Sequence, residues 1–276
     1  MKNIFKDKVV IVTGASTGIG LAISHEFAKH GSKVVMAARS ADRLSAHEAE
    51  MKALGYDVMM CQTDVTIEEQ CRNLVEKTVE RYGTVDILIN NAGISMRAIF
   101  TELDLSVIRR LMDVNFWGTV YCTKYALPYV VKNRGSIVGV SSVAGFHGLP
   151  GRSGYSASKF AIHGFLETIR IENLHRHLHV MIIAPGFTAS EVRKHALLAD
   201  GSEQGNSPRA EGKMMTPERV AKAVLKGIRK KKRNKILTLV GQLTALFQRI
   251  VPTFVDYMYF REMAKEPDSP LKEKFI

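Results

Sequence analysis

The sequence has little cysteine and no long apolar run. Its three cysteines, Cys61, Cys71 and Cys122, are an odd number, and they lack both a CxxC pair and the spacing of metal ligands. They indicate a reducing compartment and no structural metal. No segment approaches the roughly 18 consecutive apolar residues that cross a bilayer, and residues 1–8 are too short and too charged for a signal peptide. We therefore expect a cytoplasmic protein.

The composition is that of a folded protein. With 276 residues, of which 46% are hydrophobic, the chain can bury a sizeable core and is not a disordered protein. Its length suits one generous domain or two small ones.

The positive charge is concentrated in one segment. The net charge is +12, and residues 226–235 contribute seven cations and no acid. The rest of the chain carries only +5. This distribution indicates a local basic patch on an ordinary domain and argues against a nucleic-acid-binding protein, which would carry a basic face.

Short apolar β-branched runs alternate with longer segments of helical periodicity. Because the strands are apolar on both faces, the alternation predicts a doubly wound α/β fold, in which helices cover both faces of a parallel sheet. The predicted strands are 9–12, 33–37, 57–61, 86–89, 136–140, 179–183 and 236–240. The predicted helices are 20–30, 41–54, 66–82, 105–132 and 155–175, with a further helix beginning at Thr216.

The pattern changes towards the C-terminus. We expect a single domain over 1–240 with a variable, polar loop at 187–215, followed by an amphipathic extension at 241–276. The apolar residues of 242–263 fall on one helical side, interrupted at Pro252. Beside the basic patch, such a segment is typical of contact with an anionic membrane surface, here through 226–263. The alternative, which we favour, is that it packs on its own domain or on a partner subunit.

A glycine-rich turn directly follows the first strand and opens the first helix. It runs Thr13-Gly14-Ala15-Ser16-Thr17-Gly18-Ile19-Gly20. Glycines allow close approach of the backbone to a ligand, and the free N–H groups at a helix start favour a pyrophosphate. The turn therefore indicates a dinucleotide site, although a strand–helix turn without a ligand would have similar glycines.

The end of the second strand bears on the choice of dinucleotide. Enzymes that select NAD place an acid there, whereas an arginine accommodates the 2′-phosphate of NADP. This chain has Arg39 and no acid in that stretch. Unless Arg39 is merely a solvated loop charge, NADP(H) is favoured over NAD(H).

Further motifs follow the fourth and fifth strands. They are Asn90-Asn91-Ala92-Gly93, then Asn115, then Ser142, and then Tyr155 with Lys159 four residues later. Together with the glycine turn, they resemble the short-chain dehydrogenase/reductase family in order and spacing. The resemblance implies a Rossmann-type sheet of about seven strands, and it implies that Asn115, Ser142, Tyr155 and Lys159 are catalytic.

The chemistry of these side chains agrees with that resemblance. Hydride transfer to a carbonyl carbon builds negative charge on the oxygen, which needs a hydrogen bond and then a proton. Tyr155 can donate that proton, and Lys159 lies on the same helical face, where its charge favours the phenolate. By resemblance, Ser142 polarises the substrate oxygen, and Asn115 holds a water in a proton relay.

The resemblance also implies the cofactor contacts. They are Gly14, Ser16, Thr17, Gly18, Ile19 and Gly20 in the turn, Arg39, then Asp64 and Val65 along the adenine, Asn91, Ala92 and Gly93 along the ribose, Tyr155 and Lys159, and Pro185, Gly186 and Thr188 near the carboxamide. Relatives that select NADP often have a basic residue where this chain has Thr17. The 2′-phosphate would then depend mainly on Arg39.

Three functions are compatible with these motifs. The first is an NADP(H)-dependent reductase or dehydrogenase for a lipophilic substrate, such as a hydroxysteroid, a long-chain 3-oxo lipid or a compound like 3-ketosphinganine. The second is a 3-oxoacyl carrier-protein reductase, and the third is a non-catalytic nucleotide-binding scaffold or redox sensor.

The family resemblance further implies a homodimer or homotetramer formed through 105–132 and 155–175. His175, His177 and His179 alternate at a helix–strand junction, where a solvated junction is a better interpretation than a metal site.

Overall fold

The computed structural model of the chain describes residues 3–206 and 214–271. Seven parallel strands form one sheet in the order β3-β2-β1-β4-β5-β6-β7. This confirms the predicted doubly wound α/β fold. The strands are β1 Val9–Thr13, β2 Lys33–Ala38, β3 Val58–Gln62, β4 Ile87–Asn90, β5 Ser136–Val140, β6 His179–Ala184 and β7 Asn234–Ile236.

Helices cover both faces of the sheet, and two apolar clusters fill the spaces beneath them. The α-helices are α1 Gly18–Lys29, α2 Ala41–Ala53, α3 Glu68–Tyr82, α4 Leu105–Leu111, α5 Gly118–Lys132, α6 Ser153–Glu172, α7 Pro217–Arg229, α8 Leu239–Phe247 and α9 Pro252–Ala264. The strand order reverses between β1 and β4, and in such sheets ligands bind at the carboxyl ends of the strands beside this switch point.

The helix predicted over 105–132 is not regular along its whole length. A π-helical segment, Met112–Trp117, separates α4 from α5. The apolar periodicity of the sequence is the same on either side, so it gave no sign of the wider turn. A π turn alters the direction of the backbone groups it contains, and such turns often occur at functional sites. Here it contains Asn115.

The seventh strand was predicted at 236–240, and this position is wrong. β7 ends at Ile236, and α8 begins three residues later. The physical cause is Thr238, whose side chain accepts a hydrogen bond from the backbone N–H of Gly241 at 3.1 Å and so caps the new helix. The proposed boundary between the domain and its extension at 240/241 therefore falls inside α8.

The loop predicted at 187–215 covers the carboxyl edge of the sheet. Its residues 207–213 lie outside the described residues, as do 272–276 of the extension. Backbone hydrogen bonds attach the loop to the segment after β4: Leu197 donates to Ser95 at 2.9 Å, and Arg97 donates to Leu197 at 2.7 Å. The loop therefore closes one side of the cleft in which the strands end.

The extension keeps most of its apolar side chains exposed. Only a few anchor it, among them Val255, Met263, Ala264 and Leu271, which are buried. The exposed apolar surface consists of Leu239, Val240, Leu243, Leu246, Phe247, Ile250, Val251, Phe254, Tyr257 and Met258, all between 38% and 70% exposed. In this chain alone, these side chains do not pack on their own domain.

The basic patch and the exposed apolar surface lie at opposite edges of the sheet. His179 begins β6, and its Nε2 lies 2.9 Å from the carbonyl oxygen of Lys232, so the patch adjoins the amino edge. The backbone N–H of Leu237 bonds Ala184 at the end of β6, so α8 starts from the carboxyl edge. Six residues of strand span roughly 20 Å. The single membrane-binding segment expected at 226–263 is therefore divided between two separate surfaces.

Candidate active site

A cleft of about 1070 Å³ opens at the carboxyl edge of the sheet. Every site residue predicted from the sequence lines it, apart from Gly20 and Asn115. The predicted residues that line the cleft are Gly14, Ser16, Thr17, Gly18, Ile19, Arg39, Asp64, Val65, Asn91, Ala92, Gly93, Ser142, Tyr155, Lys159, Pro185, Gly186 and Thr188. Residues from seven separate segments of the chain thus meet in one cavity.

The glycine turn leaves the start of α1 open to this cleft. Gly14 has φ +64°, a conformation that L side chains rarely adopt, and a Cβ there would lie 2.8 Å from the Cα of Ala92. Thr17, at the N-cap, makes no side-chain capping bond in the described structure, and the first turn of α1 contains no acid. The first N–H groups of α1 and the positive end of its dipole are therefore available to an anion.

Gly20 packs against the backbone of the glycine turn, outside the cleft lining. A Cβ at this position would lie 2.2 Å from the carbonyl oxygen of Gly14 and 2.5 Å from Nδ2 of Asn91. The Asn91 amide itself donates to the carbonyl oxygens of Thr13 and Gly14, at 2.9 and 3.1 Å. Asn91 thus joins the end of β4 to the turn after β1, so its side chain has a structural role beside the predicted cofactor contact.

The adenosine end of the cleft lies beyond β2 and β3. Arg39 is exposed at its rim. The Asp64 carboxylate accepts two hydrogen bonds from Thr66, from its backbone N–H at 3.0 Å and its hydroxyl at 2.8 Å. These bonds fix the Asp64 carboxylate.

Tyr155, Ser142 and Lys159 meet at the opposite end of the cleft. Burial raises the pKa of Tyr155, while its hydrogen bond with Ser142 and the charge of Arg152 act in the opposite direction. The Lys159 ammonium donates to the carbonyl oxygen of Val140 at 3.1 Å and lies 5.6 Å from the centre of the Tyr155 ring. The phenol is thus held beside a serine hydroxyl and an ammonium group.

Lys159 is 4% exposed, and burial lowers its pKa to about 8. It is still mostly protonated at pH 7. Burial of His163, together with the charge of Lys159, lowers the pKa of His163 to about 4. Its imidazole is therefore neutral, and its Nε2 lies 2.7 Å from the Ser141 hydroxyl. Ser141 is therefore engaged with a core histidine, which leaves Ser142 as the serine that faces Tyr155.

Asn115 is buried behind the cleft wall. Its Oδ1 accepts from the backbone N–H of Ile94 at 2.8 Å, and its Nδ2 donates to the Ile94 carbonyl at 3.0 Å and the Ser158 hydroxyl at 2.9 Å. Its own carbonyl accepts from Thr119 at 2.8 Å. The amide thus fixes the backbone after β4 next to α6. A role for Asn115 in a water relay stays a prediction.

The wall of the cleft contains both apolar and charged side chains. Phe187, Met214, Met215 and Tyr259 contribute apolar surface to this wall. Four further aromatic residues of the extension, Phe247, Phe254, Tyr257 and Phe260, lie outside the cleft, on the surface or in a smaller neighbouring pocket.

Sequence reasoning missed several charged residues around the cleft. Arg97 and Arg152 line it and are 8% and 9% exposed, and both approach the buried carboxylate of Glu266. Arg43 on α2 forms an ion pair of 2.8 Å with Glu191 of the loop. No local motif marks these residues, because the partners are 114 to 169 positions apart for the buried cluster and 148 for the surface pair. Only Arg152 could have been expected near the cleft from the sequence, because it lies three residues before Tyr155.

The junction of His175, His177 and His179 was predicted to be solvated. His175 and His177 are exposed, but His179 is buried, so the prediction is wrong for His179. His179 engages both ring nitrogens, Nδ1 with Ser136 at 3.0 Å and Nε2 with the carbonyl of Lys232. Burial lowers its pKa. In the described part of the chain, no group of three or more histidine, cysteine, aspartate or glutamate side chains could hold a metal ion.

Comparison with known proteins places this arrangement in a family. Residues 8–200 match the short chain dehydrogenase family. The chain is 38% identical over 223 residues to an 11-beta-hydroxysteroid dehydrogenase-like 4A of Arabidopsis thaliana, covering 80% of this chain and 73% of that protein. It is 33% identical over 275 residues to an 11-beta-hydroxysteroid dehydrogenase A of Sesamum indicum, covering 97% and 79%.

Solved structures give the same result for the fold. A short chain dehydrogenase/reductase from Burkholderia phymatum in complex with NAD superposes with a TM-score of 0.82 at 22% identity, covering 92% of this chain and 96% of that one. An alcohol dehydrogenase from the archaeon Thermococcus sibiricus, complexed with 5-hydroxy-NADP, gives 0.74 at 27% identity, covering 85% and 96%. With its ordered motifs gathered in one cleft, the chain therefore belongs to the short-chain dehydrogenase/reductase family of oxidoreductases.

Proposed function

We propose that the protein is an NADP(H)-dependent oxidoreductase that interconverts a carbonyl and a secondary alcohol on a lipophilic substrate. Hydroxysteroids, long-chain 3-oxo lipids and compounds like 3-ketosphinganine are the substrate classes that suit it. The observation that carries the proposal is that Tyr155, Ser142 and Lys159 meet in the same cleft as the open start of α1. The steroid-dehydrogenase names of its relatives support the substrate class.

The residues of the cleft fit a dinucleotide. The turn has no room for a Cβ at Gly14 or Gly20, as expected where a backbone approaches a phosphate closely. In this proposal the start of α1 holds the pyrophosphate, Arg39 pairs with the 2′-phosphate of NADP(H), and Lys159 bonds the nicotinamide ribose. When bound, the nicotinamide supplies or accepts the hydride.

Side chains of the protein bind the substrate oxygen and supply its proton. Ser142 and Tyr155 donate hydrogen bonds to the substrate oxygen, where negative charge develops during reduction, and Tyr155 then transfers its proton to that oxygen. The nearby ammonium of Lys159 and the charge of Arg152 stabilise the resulting phenolate. In alcohol oxidation the same groups act in reverse.

A substrate panel tests the function. We expect steady oxidation of NADPH, followed by its absorbance, with at least one of a set of steroid ketones, 3-oxoacyl thioesters and 3-ketosphinganine, and slower turnover with NADH. Arg39→Ala should weaken NADPH binding by about 10- to 100-fold, because a charge-assisted hydrogen bond contributes about 1.5–3 kcal/mol, and should leave NADH almost unaffected. If no ketone oxidises NADPH, the function is wrong. If both cofactors weaken equally, Arg39 does not select between them.

The two alternative functions have less support from the geometry. A 3-oxoacyl carrier-protein reductase would use a basic patch near the cleft mouth to bind the acidic carrier, but residues 226–235 adjoin the opposite edge of the sheet. A non-catalytic nucleotide-binding scaffold or redox sensor would not need Ser142, Tyr155 and Lys159 together, and these three side chains meet in the cleft. We also propose a cytoplasmic location, which the free cysteines Cys61, Cys71 and Cys122 support.

We also propose that the exposed apolar surface of α8 and α9 rests on a lipid surface. Phe187, Val240 and Met258 belong both to the exposed apolar residues of the molecule and to the lining of the cleft, so the apolar surface reaches the cleft mouth. A lipophilic substrate could enter from lipid there without crossing water. No described helix is long and apolar enough to cross a membrane, so the contact would be peripheral.

A vesicle experiment tests the lipid contact. We expect the protein to sediment with phosphatidylcholine–phosphatidylserine vesicles, and Leu246→Ser with Phe254→Ser to weaken sedimentation by at least about tenfold per residue, because each buried side chain contributes about 1.5–3 kcal/mol. Because the basic patch lies at the other edge, added salt should release little protein. Leu54→Ser, which removes a leucine that is 60% exposed at the end of α2, is the matched control.

The same variants distinguish lipid from a second copy of the chain. The proposed homodimer or homotetramer forms elsewhere, through α4, the π-helical segment, α5 and α6, where Leu105, Trp117 and Phe160 are exposed. Light scattering should therefore give the same mass for the protein and for the double variant. Absence of vesicle binding would overturn the lipid contact, and a lower mass for the double variant would assign the surface to a subunit interface.

A further inference from the structure

The C-terminal segment after α9 enters the wall of the active site. Glu266 is 5% exposed, and its Oε2 lies 3.3 Å from Nη2 of Arg152 and 3.6 Å from Nε of Arg97. Arg97 also donates to the carbonyl oxygen of Pro267. A carboxylate from the last part of the chain is thus buried between two arginines that line the catalytic cleft.

The arginines come from the two segments that support the catalytic tyrosine. Ala98 donates a backbone hydrogen bond to Gly151 at 3.0 Å, so the segment after β4 pairs with the residues just before α6. Arg152 is the residue that precedes α6, and Tyr155 lies in the first turn of that helix. The position of Arg152 therefore sets where its charge lies relative to the phenol.

Burial makes this cluster sensitive to the loss of a partner. A buried arginine needs an opposite charge or hydrogen bonds, and a charge in such surroundings acts over several ångströms with little screening. Arg152 lowers the pKa of Tyr155 by its charge, and a carboxylate beside Arg152 offsets part of that charge. The amount of positive charge near the phenol is thus fixed partly by Glu266.

We propose that Glu266 is a positioning residue of the active site, which holds Arg152 at the start of α6 and balances its charge beside Tyr155. The inference rests on the proposed role of Tyr155 as the proton-transferring group. It assigns the C-terminal segment a part in the reaction, in addition to its packing through Met263 and Leu271 on Ile99.

Several charged or titratable groups near Tyr155 can affect its pKa. Lys159 lies on the same helix, and Arg152 directly precedes that helix. The segments packed around the cleft add Arg97, Arg110, Tyr259, Glu262 and Glu266. Among these, Arg152 is paired with Glu266, so changes at the two positions should move the ionisation of Tyr155 in opposite directions.

The experiment follows ionisation of Tyr155 directly. The full-length protein is titrated to alkaline pH, and the near-ultraviolet absorbance of the phenolate is compared with that of Tyr155→Phe, so that the difference isolates one tyrosine. Glu266→Gln keeps the shape of the side chain but removes its charge, which should lower the pKa of Tyr155 by about half a unit to one unit. Arg152→Gln should raise it by a similar amount.

Asp268→Asn is the matched control, because it removes one carboxylate from the same segment at an exposed position, and asparagine tolerates its left-handed backbone at φ +51°. It should leave the titration unchanged. If Glu266→Gln fails to fold, Arg97→Gln replaces it and should raise the pKa of Tyr155, since it removes one positive charge from the cluster beside Arg152. Shifts of the same sign for Glu266→Gln and Arg152→Gln, or no shift beyond that of Asp268→Asn, would overturn the proposal.

This titration needs no substrate, so it stands apart from the test of the proposed function. If the substrate panel yields no turnover but the opposite shifts appear, the charge balance is present and the reaction is misassigned. Where turnover is found, the pH profile of kcat for alcohol oxidation should move with the titration, to lower pH for Glu266→Gln and to higher pH for Arg152→Gln.

Discussion

Tyr155→Phe is expected to lower kcat by about 100- to 10,000-fold, the usual contribution of a positioned general acid. The substitution removes only the hydroxyl that meets Ser142, and the ring beside Lys159 remains. Affinity for NADPH should therefore stay within a few-fold of the unsubstituted protein. Single-turnover rates and cofactor fluorescence titrations measure the two quantities separately.

Tyr82→Phe provides the control for that result. Tyr82 also has a raised pKa, of about 12, because of burial and its 2.8 Å hydrogen bond to Asp57, but it lies at the end of α3 outside the cleft. Its loss should leave kcat unchanged. A Tyr155→Phe protein that retained more than about a tenth of kcat would show that another group supplies the proton.

Gly20→Ala is expected to weaken NADPH binding more than a glycine-to-alanine substitution at any other position of the turn. The new Cβ would lie 2.2 Å from the Gly14 carbonyl oxygen and 2.5 Å from the Asn91 amide, and both neighbours are held by hydrogen bonds between β1 and β4. Relief requires the turn to move, which costs about 1–3 kcal/mol in stability and displaces the N–H groups at the start of α1. We expect the NADPH dissociation constant to rise at least about 100-fold, measured by calorimetry.

Gly164→Ala makes the same chemical change where there is space. Gly164 lies within α6, is exposed, and has no atom within 4 Å of the added Cβ. Because alanine is favoured over glycine in a helix, stability should rise by up to about 1 kcal/mol with cofactor affinity unchanged. Equal dissociation constants for the two variants would show that the packing at Gly20 does not shape the phosphate site.

The arrangement of the sheet was accessible from the sequence because its signals are local. The run Val9–Thr13 followed by the glycine turn predicts a strand, a tight turn and a helix start within a dozen residues, and the structure has them there. In a parallel sheet all strands end at one edge, so residues that follow different strands meet. This agrees with the family resemblance, which places Gly14, Ser142 and Pro185 in one cleft, and all three line the cleft of the structure.

Element boundaries near the C-terminus were less accessible. The sequence 236–240 is apolar enough for a strand, but Thr238 caps a helix instead, and periodicity does not distinguish five apolar residues in a strand from the first turn of a helix. The π-helical segment that contains Asn115 was not predicted from the sequence for a similar reason. An extra residue in one turn changes hydrogen bonding without changing the apolar pattern.

The sequence by itself thus determined the alternation of strands and helices and the glycine turn after β1, because these signals depend on neighbours within a few residues. The resemblance to the family added Ser142, Tyr155 and Lys159 as the expected catalytic residues. Only the tertiary structure decided that Glu266 lies between Arg97 and Arg152, and that the basic patch and the apolar surface occupy opposite edges. These relations join positions far apart in the chain. Distance through space, on which burial and electrostatic interactions depend, cannot be inferred from spacing along the sequence.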